Sequence, residues 1–89
     1  MTQYKLILRV LFKGELWEYR KSCGKTQEEM AEELHITARS YSDLEHGIYG
    51  VSTVTLLFFL NQLSATKMAE VVRTFVLQAK EADENVRIF

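Results

Sequence analysis

Two helix start signals that stand 11 residues apart constrain this chain more than any other feature. The first is Thr26 with Glu29 three positions later, a capping box in which each side chain can bind the other residue's backbone N–H. The second is Thr37, which can cap another helix, and Gly47 stands where that helix is expected to end in a left-handed residue. Because so few residues separate the two short helices, they are predicted to cross steeply rather than lie antiparallel.

Apolar residues repeat at helical spacing around these signals. Upstream, Leu16, Tyr19 and Cys23 form one stripe on a helix that is predicted to end at Gly24. The two short helices have predicted inward-facing positions at Met30, Ala31, Leu34, Tyr41, Leu44 and Glu45. The second of them is predicted to run from residue 38 to about residue 46, with His46 suited to its C-terminal end.

A fourth helix is predicted from Val54 to Leu63, with Ser52 or Thr53 as its cap. It is apolar on nearly every side, including the consecutive pair at positions 58 and 59. A helix with that pattern is expected to be central and buried, so we predict that this pair belongs to the core.

A last helix is predicted to start after Ser64 or Thr66 and to continue to about Asp83. Its apolar stripe comprises Met68, Val71, Val72, Phe75, Val76, Ala79 and Ala82. That stripe is long for so small a domain. We therefore expect part of it to contact another molecule.

The first dozen residues fit two different structures. As a helix continuous with the next segment, they place Lys5, Arg9 and Lys13 along one polar edge at four-residue spacing. As a strand, they form an unbroken apolar face made of Tyr4, Leu6, Leu8, Val10 and Phe12. The tail at 86–89 could pair with such a strand, so both structures remain open at this point.

Composition narrows the class of protein. The chain of 89 residues is the size of one small domain, and its 11 basic and 12 acidic residues leave a formal net charge of −1. This balance excludes a strongly basic nucleic-acid binder of the histone or ribosomal type. The longest apolar run is too short and too charged to cross a membrane, and no signal-peptide cleavage site follows it. We expect a soluble cytoplasmic protein with no membrane partner.

Cys23 is the only cysteine in the chain. A single cysteine excludes an intramolecular disulfide and a multi-cysteine zinc site. We predict that Cys23 is a small buried hydrophobic residue, and that Trp17 anchors a core or an interface rather than stacking on a base.

Residues 12–63 resemble the Xre or Cro/CI-type helix-turn-helix domain of bacterial and phage repressors. The segment 24–34 looks like the family's glycine, spacer, Ser/Thr and Gln-x-x-Leu-Ala-x-x-Leu, and the segment 36–47 looks like its recognition helix and the Glu-x-Gly that follows. The resemblance implies an all-α, compact five-helix, lambda-repressor-like domain with an extended C-terminal helix. It divides the chain into an N-terminal extension (1–11), the helix-turn-helix domain (12–63), and a C-terminal helix and tail (64–89) suited to dimerisation.

The resemblance also implies which residues meet DNA. Base readout would fall to four residues on the solvent side of the third helix, namely Ala38, Arg39, Ser42 and Asp43. Phosphate contacts would fall to Gln27, Lys25, Ser40 and Tyr49. Arg20 and Glu45 match the family's partly buried ion pair, which holds the first and third helices together and does not touch DNA.

The chemistry of these side chains suits that role. Arg39 can make the bidentate contact to a guanine or clamp a phosphate, and the Ala38 methyl can meet the methyl group of a thymine. Asp43 can accept only from the amino groups of cytosine or adenine, and it repels phosphate.

The sequence departs from the family after Gly47, where many members carry Lys or Arg. This chain has the uncharged residues Ile48, Tyr49, Gly50 and Val51 there, and between positions 13 and 63 it has five basic and eight acidic residues. Phosphate neutralisation supplies most non-specific affinity, so a monomer is expected to bind weakly and with strong salt dependence. A homodimer that reads two half-sites about one helical turn apart would restore the affinity.

The leading hypothesis is therefore a sequence-specific transcriptional regulator that binds double-stranded DNA. We expect a repressor of bacterial or phage origin that acts as a homodimer with the third helix in the major groove. The alternative is an antitoxin or a protein-interaction module that keeps the fold with weak or no DNA binding and has a toxin or another protein as its partner.

An enzyme is not expected. His35 and His46 stand 11 residues apart, and no nucleophile, base or metal-ligand cluster matches them. We predict that His35 is a surface turn residue, and we expect no cofactor and no metal ion.

Overall fold

The computed structural model describes residues 2–88, with side chains described for residues 2–84. Its five helices, in chain order, are α1 (Gln3–Cys23), α2 (Gln27–Glu33), α3 (Ala38–Glu45), α4 (Thr53–Gln62) and α5 (Ala65–Ile88). Over residues 2–88 no strand is formed. The all-α, five-helix architecture predicted from the sequence is confirmed. None of these helices combines the length and the apolar character needed to cross a lipid bilayer.

The N-terminal segment is helical, so the strand alternative is wrong. Thr2 caps α1 by accepting the N–H of Lys5 at 3.3 Å, and Gly24 ends it with a left-handed φ of 66°. The hydroxyl of Tyr4 donates to the carboxylate of Asp83 at 2.8 Å, which ties the start of α1 to the far end of α5. Because the backbone of a helix forms its own hydrogen bonds, α1 needs no strand partner. Of the tail that could have supplied one, residues 86–88 continue α5 and residue 89 lies outside the described residues.

Helix caps form where the sequence places them. Both bonds of the capping box are present, since the N–H of Glu29 donates to the Thr26 hydroxyl at 3.1 Å and the N–H of Thr26 donates to the Glu29 carboxylate at 2.9 Å. Thr37 caps α3 through its hydroxyl. Of the alternatives left open by the sequence, Ser52 caps α4 and Ser64 caps the start of α5.

The turn between α2 and α3 depends on one residue with unusual backbone geometry. His35 adopts a left-handed φ of 60°, which costs an L-residue about 1–2 kcal/mol. The chain then reverses so that the N–H of Ile36 donates to the carbonyl of Ala31 at 3.0 Å. The exposed His35 ring lies 4.7 Å from the ring of Phe58, a contact that offsets part of the backbone cost.

The core lies between α1, the two short helices and α4. Phe59 is at its centre, with Phe12 and Tyr19 edge-on to its ring at centroid distances of 5.2 and 5.7 Å. The buried cluster comprises Phe12, Leu16, Met30, Ala31, Leu34, Tyr41 and Phe59. Four of the six predicted inward positions of α2 and α3 belong to this cluster, Leu44 packs against it partly buried, and the Glu45 side chain is also turned inward.

The prediction that α4 is buried on all sides is wrong. Only Thr55 and Phe59 are buried, whereas Val54 and Leu57 are 64% and 61% exposed and Phe58 is also exposed. Five helices provide one layer of neighbours for α4, so among the described residues no helix covers its opposite face, where the His35 ring lies beside Phe58. Its uniform apolar character therefore reflects surplus apolar surface rather than a central position.

For α1, the prediction that Cys23 is buried is wrong, and of the two roles predicted for Trp17 the core role is excluded. Cys23 is exposed, because it lies in the last turn of α1, beyond the level of the core. Trp17 is not in the core, and its exposed ring lies 5.7 Å from the ammonium group of Lys21. Helical spacing correctly identified the apolar stripe of α1. Only the part of that stripe that faces α3, α4 and α5 is packed.

One flank of α5 packs against α1, and the other is exposed. Val71 is buried, and Lys67 pairs with Glu15 of α1 at 3.5 Å. With the contact between residues 4 and 83, this pairing shows that α1 and α5 are antiparallel. The remaining large residues of the predicted stripe include three exposed ones, Met68, Val72 and Val76.

Gly47→Ala is expected to destabilise the chain. The φ of 72° at this position strains an L-residue, and the added methyl would lie 2.9 Å from the side chain of Lys13. We expect a loss of about 1–2 kcal/mol, which thermal denaturation would register as a drop of roughly 4–8 °C per kcal/mol.

Gly14→Ala is the matched control for this change. Gly14 lies inside α1 with nothing within 4 Å of an added methyl, so the same substitution is expected to raise stability by about 0.5–1 kcal/mol. Equal melting temperatures for the two variants would contradict the assigned role of Gly47.

Candidate nucleic-acid interface

The predicted base-readout residues lie together on the outer side of α3. Ala38 and Arg39 are exposed, and Ser42 and Asp43, one turn later, are half-buried. Their spacing places all four on one helix surface. Tyr41 is fully buried on the opposite side. The structure thus brings the four predicted residues to one face of an anchored helix.

Arg39 is the only Lys or Arg of α3 among the described residues. Among the described residues, none makes a hydrogen bond or an ion pair with its guanidinium group. Its five N–H donors are therefore available to a ligand outside the chain. A guanidinium group in this state can make the two parallel hydrogen bonds that guanine or phosphate accepts.

A buried carboxylate anchors α3 from behind. Glu45 accepts hydrogen bonds from Arg20 Nε at 2.8 Å and Arg20 Nη2 at 2.7 Å. It also accepts from the Tyr41 hydroxyl at 2.6 Å and from Gln27 Nε2 at 3.2 Å. The side chains of Arg20 and Glu45 are only 13% and 5% exposed. This cluster joins α1, α2 and α3 through one ionised group.

The cluster has strong electrostatic consequences. Burial by itself raises the pKa of the Glu45 carboxyl, but the hydrogen bonds from Arg20, Tyr41 and Gln27 outweigh it and lower that pKa from 4.5 to about 2. Burial, and then the bond to Glu45, raises the pKa of the Tyr41 hydroxyl. A lowered carboxyl pKa stabilises the fold fully above about pH 4.5, and this contribution is lost as the pH falls towards 2.

Gln27 begins α2 and is held by this cluster. One amide hydrogen is donated to Glu45, which leaves the second hydrogen and the amide oxygen for another partner. The predicted phosphate contact of Gln27 would therefore use a side chain whose position is already restrained. This geometry links the start of α2 to the end of α3.

Lys25 is engaged within the chain. Its ammonium group pairs with Glu33 at 2.8 Å and lies 5.2 Å from the centre of the Tyr19 ring. The hydrogen bond to Glu33 raises the pKa of Lys25. A DNA phosphate would have to compete with that carboxylate, so Lys25 is a weaker phosphate candidate than the sequence indicated.

The other two predicted phosphate contacts flank a shallow cleft beside α3. Ser40 and Tyr49 line it together with Asp43, and its volume is about 240 Å³. Tyr49 is 63% exposed, and Ser40 accepts a hydrogen bond from the Thr37 hydroxyl at 2.9 Å. Lys25 and Gln27 do not line this cleft, so the predicted phosphate contacts fall into two separate groups.

Sequence reasoning missed the part that Tyr41 plays. It predicted only that Tyr41 faces inward, whereas the Tyr41 hydroxyl also makes the shortest of the hydrogen bonds to Glu45. The signal was the four-residue spacing of the two residues, which places both on one side of a helix.

Comparison with known proteins agrees with this geometry. Residues 18–71, more than half of the chain, match the helix-turn-helix family. The fold is similar to the crystal structure of the clp gene regulator ClgR from Corynebacterium glutamicum, with a TM-score of 0.63 and 27% identity. That similarity covers 91% of this chain and 88% of the other. No curated protein matches the sequence.

Arg20→Met is expected to reduce the free energy of unfolding by about 3–5 kcal/mol, because it leaves the buried Glu45 carboxylate without its cation. Lys25→Met removes a more exposed cation and is expected to cost less than about 1 kcal/mol. Urea denaturation of both variants measures the difference. Similar losses in the two variants would show that the Glu45 cluster does not anchor α3.

Proposed function

Because the chain belongs to the helix-turn-helix family of DNA-binding transcriptional regulators, we propose that it is a repressor that reads its operator as a homodimer. In this proposal α3 enters the major groove, as the recognition helix of this motif does. Binding across a promoter then blocks access to the DNA that transcription requires.

One observation carries the proposal: α3 presents an exposed, unpaired Arg39 on the face opposite a buried anchor. Tyr41 and Glu45 fix the helix to α1 and α2, so ordering α3 on DNA costs little conformational entropy. A rigid helix with a free guanidinium group is suited to reading base edges in a groove of fixed width.

Each exposed residue of α3 has a chemical role in this proposal. Arg39 reads a guanine through two hydrogen bonds, and the Ala38 methyl contacts a thymine methyl. Asp43 accepts from the amino group of a cytosine or adenine, and Ser42 supplies a hydroxyl. The backbone contacts are made by four side chains, those of Gln27, Ser40, Tyr49 and Lys25.

Dimerisation is proposed because one motif alone carries little positive charge. Positions 13–63 contain five basic and eight acidic residues, so a single motif neutralises few phosphates. Two motifs that read two half-sites gain affinity without more charge. The exposed flank of α5, formed by Met68, Val72 and Val76, is the proposed contact between the two copies.

A second candidate function is favoured by the outer face of α4. Val54, Leu57, Phe58 and Asn61 line an open, mainly apolar cleft of about 350 Å³. Exposed apolar surface of this kind commonly marks a protein contact. An antitoxin or a protein-interaction module would use this face for a toxin or another protein partner, with weak or no DNA binding.

Arg39→Ala is expected to weaken binding to the preferred DNA by about 1–3 kcal/mol and to relax the base preference at one position of each half-site. Duplexes selected from a random pool by the wild-type chain provide the probe, and fluorescence anisotropy measures the affinity.

Arg73→Ala is the control for Arg39→Ala, because it removes an exposed cation from α5 without touching α3. If the wild-type chain selects no duplex even at low salt, the regulator proposal fails and the interaction module is favoured. If both variants lose affinity equally, charge rather than α3 explains the binding.

Val72→Glu combined with Val76→Glu is expected to convert a dimer to a monomer, because it places charges on the proposed contact while leaving the buried Val71 in place. Sedimentation equilibrium measures the mass. Leu57→Glu adds a charge to the exposed face of α4 and serves as the control. A monomer produced only by the control would place the dimer contact on α4.

A further inference from the structure

The N-terminal half of α1 carries three cations on one side. Lys5, Arg9 and Lys13 are spaced by four residues and are called here the α1 basic row. Within the described part of the chain, none of the three forms an ion pair. Unlike Arg20, Lys25 and Lys67, these cations are not neutralised by a carboxylate of their own chain.

The α1 basic row lies along the segment that joins α3 to α4. Lys13 packs over Gly47, since its Cδ is 2.9 Å from the place a Cβ would occupy there. Nearer the N-terminus, Lys5 and Arg9 line a cleft of about 520 Å³. The opposite wall of that cleft is the segment 50–53, which leads into α4.

The electrostatics of this cleft suit an anion. Lys5 and Arg9 line it, together with Leu8 and residues 50–53, and no carboxylate is among these lining residues. The Nε of Arg9 is buried and has no hydrogen-bond partner among the described residues. The first N–H groups of α4, near Thr53, add partial positive charge from the end of the helix. The cleft therefore combines two cations, one of which has an N–H donor without a partner among the described residues, with the positive end of the α4 dipole.

This cleft adjoins the proposed DNA-reading face. Gly50 and Ser52 line it and also line the cleft beside α3 that contains Ser40, Asp43 and Tyr49. Only the segment after Gly47 therefore separates the outer face of α3 from the α1 basic row. A duplex seated on α3 would carry its sugar–phosphate backbone past this segment.

We infer that Lys5 and Arg9, together with the N-terminal end of α4, bind the phosphate backbone of DNA beside the bases that α3 reads. This inference rests on the proposed function. It assigns a source of positive charge to a chain whose segment 48–51 is uncharged, and it explains why a motif with excess acidic residues could still hold a duplex. The cations come from α1 rather than from the segment after α3.

The test is the salt dependence of binding. Each phosphate contact contributes about 0.9 to the slope of log K against log salt concentration, so Lys5→Gln with Arg9→Gln is expected to reduce that slope by roughly 2. The probe is a duplex selected by the wild-type chain, measured by fluorescence anisotropy over a series of sodium chloride concentrations. The base preference is expected to remain unchanged, because phosphate contacts carry no sequence information.

Arg73→Gln with Lys80→Gln is the matched control, because it removes the same charge from exposed positions on α5. The inference predicts a wild-type slope for this control. A wild-type slope for the Lys5/Arg9 variant, or an equal reduction in both variants, would overturn it while leaving the proposed function intact. Failure of the wild-type chain to select any duplex would instead overturn the proposed function, and the inference with it.

A second arm distinguishes a DNA phosphate from a free anion. Thermal denaturation of the wild-type chain and the Lys5/Arg9 variant is repeated with millimolar sodium phosphate in place of chloride at equal ionic strength. Two results together would overturn the DNA assignment and assign the cleft to free phosphate. Phosphate would stabilise the wild-type chain but not the variant, and the variant would keep the wild-type salt dependence of DNA binding.

Discussion

The helices α1, α2 and α3, called here the reading unit, depend for their arrangement on the buried carboxylate of Glu45. The two short helices share a buried apolar contact formed by Met30, Ala31, Leu34 and Tyr41, and the Glu45 cluster adds a second constraint on their relative position. A charged group removed from water is stable only when its partners stay in place. Because Arg20, Gln27 and Tyr41 come from three helices and bind one carboxylate, a change in the crossing angle would leave a buried charge unpaired. The geometry of α3 is therefore set by electrostatics as much as by apolar packing.

The formal charge of −1 hides an uneven distribution. Carboxylates are concentrated on α2, on the side that faces water, whereas the unpaired cations of α1 lie along the segment after α3. A near-neutral composition does not argue against a DNA partner when the two signs are separated in space. A near-neutral composition does argue against attraction of DNA by the overall charge of the chain. Recognition then depends on a small number of specific contacts and on the presence of a second motif.

Local features were predictable from the sequence, and features that depend on distant neighbours were not. Thr26, Glu29 and Thr37 cap helices as predicted, because a cap needs only the residues of its own turn. The exposure of Cys23 and Leu57 was missed, because periodicity identifies a face without saying what covers it. The helix at the N-terminus was ambiguous for the same reason, since Tyr4 meets a partner 79 residues away. For the site, the family resemblance selected the outer face of α3, but it could not show that Arg9 lies beside the segment leading into α4.

The antiparallel pairing of α1 with α5 has a consequence for the order of folding. The bonds from Tyr4 to Asp83 and from Lys67 to Glu15 close a loop that contains nearly the whole chain, whereas α2 and α3 are joined by contacts of short range. Closing long loops is entropically slower than closing short ones. During synthesis, α5 also leaves the ribosome after the other four helices, so the first half of α1 stays without its helical partner until α5 has emerged. The reading unit can thus assemble before the surface proposed for dimer contact exists, which separates the folding of a single copy from its association with another.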